Sequence, residues 1–288
     1  MDSKILAFLL ISQRNEISEY HIYKKLADIE KNEHNREVLE KIANDELRHY
    51  QVWKKYTNTE VKPSLLKIWW YYLISRILGL TFGIKLMEKN EDKAQNKYRN
   101  IIKEIPEAAR IEAEENEHEQ KLISLIDEER LSYVGSIVLG LNDALVELTG
   151  ALAGFSLALQ NSRLVALTGM ITGIAASLSM AASEYLSTKS EKGSKNPVKA
   201  SVYTGIAYVF TVIALIMPFM FISEPLIALS ITLLTVMIII ALFTYYVSVA
   251  MELPFLKRFL EMALISLGVA SVTFGIGFFI RKIWNIDI

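Results

Sequence analysis

The pattern of apolar and polar positions changes sharply near the middle of the 288-residue chain. Up to about residue 130, apolar residues recur every three or four positions between charged ones, which is typical of amphipathic helices. Beyond residue 132 the apolar residues form long, nearly uninterrupted runs. The chain is therefore predicted to be all-α, with a four-helix bundle at 1–130 followed by a five-helix transmembrane domain at 131–288. The four amphipathic patterns run over 4–30, 33–56, 80–103 and 106–127.

Five apolar runs in the second half are each long enough to cross a bilayer, because about 20 residues of helix span the hydrocarbon core. Backbone polar groups must bond internally in lipid, so these runs are predicted to be helices. Basic residues in the connections after the second and fourth runs predict, by the positive-inside rule, that the N-terminal domain is cytoplasmic. We therefore expect a multi-pass protein of the cell membrane. The expected spans are 133–159, 164–186, 202–222, 226–249 and 259–280.

The segment 65–87 is nearly apolar enough to be a sixth span, but Lys67, Arg76 and Lys85 interrupt it. A charged residue in the middle of a span is costly. We predict a long connection that leads into the third amphipathic helix. The aromatic residues at 69–72 are expected at the membrane interface, where tryptophan and tyrosine are enriched.

Charge and composition narrow the function classes. The first 132 residues hold 22 of the 31 Lys and Arg, 24 of the 32 Asp and Glu, and all four His. Neither half carries a concentrated basic stripe, so nucleic-acid binding is not expected. The chain has no Cys, which excludes disulfides, zinc fingers, iron–sulfur clusters and thiol catalysis. A metal site must use His, carboxylates, Met or carbonyl oxygens.

Each amphipathic pattern carries a carboxylate on its apolar stripe, where burial costs several kcal/mol or forces protonation. In two helices this carboxylate begins a Glu-x-x-His motif, which places both side chains on one helix face. The fourth helix is so acidic that its motif alone would be weak, but the joint pattern matches a di-metal carboxylate bundle. Glutamates with one imidazole per metal suit iron or manganese. The predicted ligands are Glu16, Glu46, His49, Glu91, Glu115 and His118, with Glu88 as an alternative to Glu91.

The first 130 residues resemble the ferritin-like superfamily, and rubrerythrin-type domains in particular. The resemblance rests on two Glu-x-x-His motifs, each preceded by a helix with one glutamate on its apolar face. It implies a di-iron centre, in which manganese could replace iron, held by the six residues named above. Glu19, Glu88 and Glu112 lie near enough to these residues that each could take the place of an assigned ligand. No Cys-rich tail of the rubrerythrin kind is present, so a complete peroxidase of that kind is not expected.

Ionisable residues inside the apolar runs are candidates for function, because a charge in lipid is expensive. Asp143 and Glu147 lie four residues apart in the first run, and Met180 and Glu184 do so in the second. Carboxylates beside a thioether favour a borderline cation such as Fe²⁺ over Ca²⁺ or Mg²⁺. The sequence therefore predicts a transport pathway at these four residues. In the structural alternative, Asp143 bonds to the backbone and Met180 only packs.

The second half resembles the vacuolar iron transporter family over essentially its whole length. The matching stretches are 140–147 (GLNDALVE) and 179–187 (SMAASEYLS), with Pro218 and the 268–275 segment in support. The resemblance implies a homodimer, a pathway near its two-fold axis lined by Asp143 and Met180, and exchange of Fe²⁺ or Mn²⁺ for protons. Eukaryotic relatives carry a metal-collecting domain between spans two and three. Here that connection has about a dozen residues, so the ferritin-like domain is expected to handle the metal.

These observations predict a transporter that exports divalent iron, or manganese, from the cytoplasm in exchange for protons. Its N-terminal domain would sense, collect or oxidise the metal, which leaves ferroxidase activity open. The main alternative is a membrane-anchored di-iron oxidase. An anchor has no use for Asp143, Glu147 and Glu184 inside lipid, which favours transport. A membrane-tethered iron store is disfavoured, because a single bundle does not form a ferritin cage.

Overall fold

A computed structural model describes residues 3–95, 105, 107, 110–111, 132–191 and 195–284. Every regular element within these residues is an α-helix, which confirms the all-α prediction. The chain divides into two compact units, Met1–Glu128 and Glu129–Ile288.

The described helices of the first unit are α1 (Ser3–Ile29), α2 (Glu33–Thr57), α3 (Leu65–Leu78) and α4 (Leu80–Gln95). The side chain of Asn32 caps α2 by accepting the Asn35 N–H, and α2 ends at Asn58 in a left-handed conformation with φ of 47°. The Thr57 hydroxyl donates to Gln13 at 2.7 Å. Because the end of α2 thus meets the first half of α1, the two helices form an antiparallel pair.

The prediction of a long connection after residue 65 is wrong, because helix α3 covers Leu65–Leu78. Ser64 caps it by accepting the Lys67 N–H at 3.4 Å. Gly79 separates α3 from α4 with φ of 107°, which residues with a Cβ rarely adopt. The 14 residues of α3 extend only about 21 Å, too short to cross a bilayer.

The third and fourth predicted helices of the bundle are described only in part. Helix α4 begins at the expected residue and covers the predicted third helix as far as Gln95. The predicted fourth helix, 106–127, falls almost entirely outside the described residues.

Among the described residues of the second unit, five helices are long and apolar enough to span a membrane, as predicted. They are α5 (Val134–Leu159), α6 (Ser162–Ser190), α7 (Pro197–Phe221), α8 (Pro225–Ala250) and α9 (Phe255–Trp284). Asn161 and Asn196 cap α6 and α7, and the first helical residues of α7 and α8 are Pro197 and Pro225. These signals place the starts of α6, α7 and α8 earlier than the apolar runs suggest.

Small residues allow the spanning helices to approach closely. A Cβ at Gly277 of α9 would lie 2.6 Å from the carbonyl oxygen of Gly154 in α5. A Cβ at Gly173 of α6 would lie 2.6 Å from a methyl group of Val212 in α7. Packing of this kind associates helices in lipid, where no hydrophobic driving force acts between them.

Candidate metal centre and ion path

Three predicted metal ligands meet in the core of the first unit. Glu46 and His49 lie three residues apart on α2 and therefore share one face of that helix. The antiparallel pairing with α1 places Glu16 opposite them. All three are buried, and one ligand atom of each lies within 4.8 Å of those of the other two.

Hydrogen bonding orients Glu16 within this group. The indole N–H of Trp53, one turn beyond His49 on α2, donates to Glu16 Oε1 at 3.0 Å. His49 Nδ1 lies 3.7 Å from Glu16 Oε2, which is longer than a hydrogen bond. Two buried carboxylates repel each other unless a cation or a proton lies between them. Two carboxylates and one imidazole make a donor set that fits iron or manganese.

The other three predicted ligands are not described with this group. The backbone of Glu91 lies on α4, but its side chain falls outside the described residues, as does that of Glu88. Glu115 and His118 also lie outside the described residues. A second metal at this centre therefore stays a prediction.

Glu19, one turn after Glu16 on α1, has a partner that the sequence did not reveal. The Lys67 ammonium, carried by α3, lies 2.5 Å from Glu19 Oε1 and also donates to Asn15 Oδ1 at 3.3 Å. Glu19 is buried and Lys67 nearly so, so each charge compensates the other. The only sequence signal was a lysine that interrupts an apolar run.

A cleft of about 460 Å³ borders the centre at His49. The Tyr56 hydroxyl donates to the carboxylate of Glu107 at its rim. This hydrogen bond raises the pKa of Tyr56 and lowers the pKa of Glu107. The cleft is lined by Arg48, His49, Val52, Lys55, Tyr56, Glu107, Arg110 and Ile111.

In the second unit, α5 carries two carboxylates and no basic residue. Asp143 is half-buried, and Glu147 lies one turn further along the same face of α5. The hydroxyl of Tyr208, a fully buried residue of α7, donates to Glu147 Oε2 at 2.9 Å. Sequence reasoning missed Tyr208, because the contact joins residues 61 positions apart.

Glu184 of α6 is held by hydroxyl groups. The Ser136 hydroxyl donates to Glu184 Oε1 at 2.5 Å, and the Thr188 hydroxyl does so at 3.5 Å. The carbonyl oxygen of Ser136 in turn accepts from Thr204 of α7 at 2.9 Å. Met180, one turn before Glu184, is half-buried against the apolar core of the unit. A polar chain thus connects α5, α6 and α7.

Residues 134–195 contain a VIT family domain. The match covers α5 and α6, so it includes all four residues of the predicted pathway and confirms the predicted resemblance over this stretch. Together with the five apolar helices, the VIT family domain indicates a multi-pass membrane protein. The match does not include residues 1–133, where the ferritin-like resemblance stays a prediction. A search of curated proteins finds no significant match to the chain.

Proposed function

We propose that this protein exports divalent iron from the cytoplasm in exchange for protons, with manganese as the alternative cargo. The observation that carries the proposal is a VIT family domain whose two apolar helices hold Asp143, Glu147 and Glu184. An ionised carboxylate in lipid is expensive unless a cation or a proton accompanies it. Alternation between these two occupants is what exchange of a metal for protons requires.

Asp143 is the proposed coupling site. It lies about ten residues into α5, or about 15 Å along the helix. The thioether of Met180 on α6 would add a softer donor that favours Fe²⁺ over Ca²⁺ or Mg²⁺. Glu147 and Glu184, each one turn further along its helix, would receive the cation before or after Asp143.

The resemblance to the vacuolar iron transporter family implies a homodimer, and the environment of Glu147 supports this proposal. This carboxylate is exposed on the single chain, and a carboxylate that faces lipid is costly. A second copy packed against this face of α5 would shield it from lipid. We therefore propose that the ion pathway lies close to the two-fold axis of a dimer.

The first unit is proposed to be a ferritin-like domain that handles metal before transport. Glu16, Glu46 and His49 would hold the first metal, and Glu91, Glu115 and His118 would complete a di-metal centre. A bound di-iron centre would supply redox chemistry for the oxidation of Fe²⁺. The three described residues would bind and orient the metal, and their burial would keep water away from it.

The same buried residues favour a second candidate, a membrane-anchored di-iron oxidase. In that case oxygen would be consumed with Fe²⁺ but no iron would cross the membrane. The two functions are distinguished by measuring oxygen consumption and metal flux in one preparation of sealed vesicles.

The transport test uses full-length protein in sealed liposomes that contain an Fe²⁺ indicator, with and without an acidic interior. We expect uptake that the pH gradient accelerates and that makes the interior less acidic. Asp143→Asn keeps the shape of the side chain but loses its titratable charge, so gradient-driven uptake should disappear. Glu224→Gln, an exposed carboxylate between α7 and α8, is the matched control and should transport normally. Exchange at the wild-type rate in Asp143→Asn would refute the coupling site.

The proposed orientation has a separate test. In inside-out vesicles, a protease added outside should digest residues 1–130 if the first unit is cytoplasmic. Protection of these residues would invert the topology and reverse the proposed direction of transport.

A further inference from the structure

Helix α3 presents most of its apolar residues away from the unit to which it belongs. Only Ile68, Tyr71 and Ser75 are buried, and they form a narrow stripe. The opposite side carries large apolar side chains at spacings of three and four, which place them on one continuous helix face. Leu66 is 84% exposed, Trp70 60% and Ile77 62%. The outward face of α3 consists of Leu66, Trp69, Trp70, Leu73 and Ile77.

Such a face requires a partner. Two tryptophans and three aliphatic residues on four turns of helix form a larger apolar patch than soluble surfaces usually expose. Isolated exposed leucines need no explanation, but a contiguous patch marks a surface that contacts another molecule or a membrane.

The charges around this face indicate which partner it meets. Residues 61–87 contain Lys62, Lys67, Arg76 and Lys85 and no acidic residue. Lys62 and Arg76 are exposed. The Lys25 ammonium of α1 lies 4.6 Å from the ring centre of Trp69, which places another cation beside the apolar face. Apolar and aromatic residues flanked by cations are typical of helices that lie in the interface of a bilayer with anionic lipids.

A second copy of the chain fits this surface less well. In a two-fold dimer the same patch meets itself, so the cations of one copy would approach those of the other. A bilayer is already available, because five described helices of the same chain are long and apolar enough to span a membrane. Covalent attachment to these helices raises the effective concentration of lipid at α3, so even a weak surface anchor would stay bound.

We propose that the outward face of α3 lies in the headgroup region of the bilayer that the chain spans. The tryptophan rings would lie at the level of the headgroups, and Lys62, Arg76 and Lys25 would reach anionic phosphates. This surface takes no part in the proposed transport, and its occupation by lipid does not depend on it.

The chain has no Cys, so single spin labels can be placed without background. Labels on Leu66→Cys, Leu73→Cys and Ile77→Cys report the outward face. Glu37→Cys and Lys41→Cys, both exposed on α2, are the controls. The full-length protein is studied in nanodiscs that contain anionic lipid. Collisions with oxygen, which concentrates in lipid, are compared with collisions with a water-soluble nickel chelate.

The α3 labels should collide often with oxygen and rarely with the nickel chelate, and the α2 labels should show the reverse. Trp69→Gln with Trp70→Gln in the Leu73→Cys background should raise nickel accessibility severalfold. Unchanged hydrogen-exchange protection of α1 and α2 would show that the unit remains folded. Equal nickel accessibility on α3 and α2 would overturn the proposal. Low accessibility to both reagents with spin–spin broadening would assign the face to a second copy instead, which also overturns it.

Discussion

The carboxylates of the two units have different surroundings. In the first unit, Glu16 and Glu46 converge on one point together with His49. In the second, Glu147 and Glu184 each accept hydrogen bonds from neutral hydroxyl groups of neighbouring helices. Among the described residues, only the first unit brings three such ligand groups within reach of one ion.

This difference has a physical meaning for metal binding. Three ligand groups that converge on one point can all contact the same ion, so a metal held by Glu16, Glu46 and His49 would be bound tightly and leave slowly. The described part of the second unit has no such group of three, so a cation there would contact fewer protein ligands and leave more easily. We infer that the first unit is suited to retain a metal and the second to pass one on.

Replacing one ligand of the Glu16, Glu46 and His49 group tests whether the first unit retains a metal independently of transport. Glu46→Ala should lower the metal affinity of the first unit by more than about tenfold. Loss of a residue that only hydrogen-bonds to a metal ligand already costs about that much, and Glu46 would contact the metal directly. Uptake of Fe²⁺ driven by the pH gradient should persist when Fe²⁺ is saturating. Metal content and liposome flux are measured on the same preparation.

Glu40→Ala is the matched control, because Glu40 lies on α2 but is half-exposed near Lys24. It should leave both readouts unchanged. Loss of flux and metal together in Glu46→Ala would show that the two units do not act separately.

Removal of the metal should destabilise the first unit and spare the second. Binding to the folded state alone stabilises it by about 2.7 kcal/mol when the metal is at 100 times its Kd. After chelation, hydrogen exchange in α1 and α2 should accelerate, and added Fe²⁺ or Mn²⁺ should restore protection. Protection in α5–α9 should not change. Identical exchange with and without metal would argue against a metal centre at Glu16, Glu46 and His49.

The Glu19–Lys67 pair tests how strongly a buried carboxylate in the first unit depends on a compensating charge. Lys67→Met would leave Glu19 buried without its ammonium partner, and since Lys67 is 21% exposed we expect a loss of about 1–3 kcal/mol. Lys54→Met, which removes an exposed ion pair with Glu60, should cost about 0–1 kcal/mol. The free energy of unfolding of both variants is measured from hydrogen exchange in α1. Adding Glu19→Gln to Lys67→Met should recover part of the loss.

The smallest expected effect concerns the hydroxyl that holds Glu147. Tyr208→Phe removes one hydrogen bond to Glu147, worth about 1 kcal/mol. Because the carboxylate then gains more from a cation, the apparent KM for Fe²⁺ should fall about fivefold, with little change in fold. Tyr203→Phe is the control, since Tyr203 stacks on Tyr133 with ring centres 5.2 Å apart. Equal kinetics in the two variants would show that Tyr208 only packs.

The sequence predicted the five spanning helices and the first two helices of the bundle to within a few residues. Helix periodicity and apolar run length are local properties, so they can be read along one stretch of chain. The prediction of a long connection after residue 65 is wrong, because basic residues that interrupt an apolar run do not end a helix. Within α3, Lys67 pairs with the buried Glu19 and Arg76 is exposed, so neither charge prevents the helix.

The sequence also predicted which groups are candidates for metal binding and transport. Glu16, Glu46 and His49 were recognised as polar exceptions on apolar helix faces, and Asp143 and Glu184 as charges within apolar runs. A single periodic helix is enough to reveal such exceptions, because burial makes each of them costly.

Only the tertiary structure decided which groups meet. Lys67 reaches Glu19 across 48 residues, and Tyr208 reaches Glu147 across 61. Such contacts depend on the relative rotation and axial position of packed helices. These are set by side-chain interlocking and by close approaches such as that of Gly154 and Gly277, which involve residues distant in the chain. No local pattern contains that information, because the free energy that fixes it arises only when the helices pack.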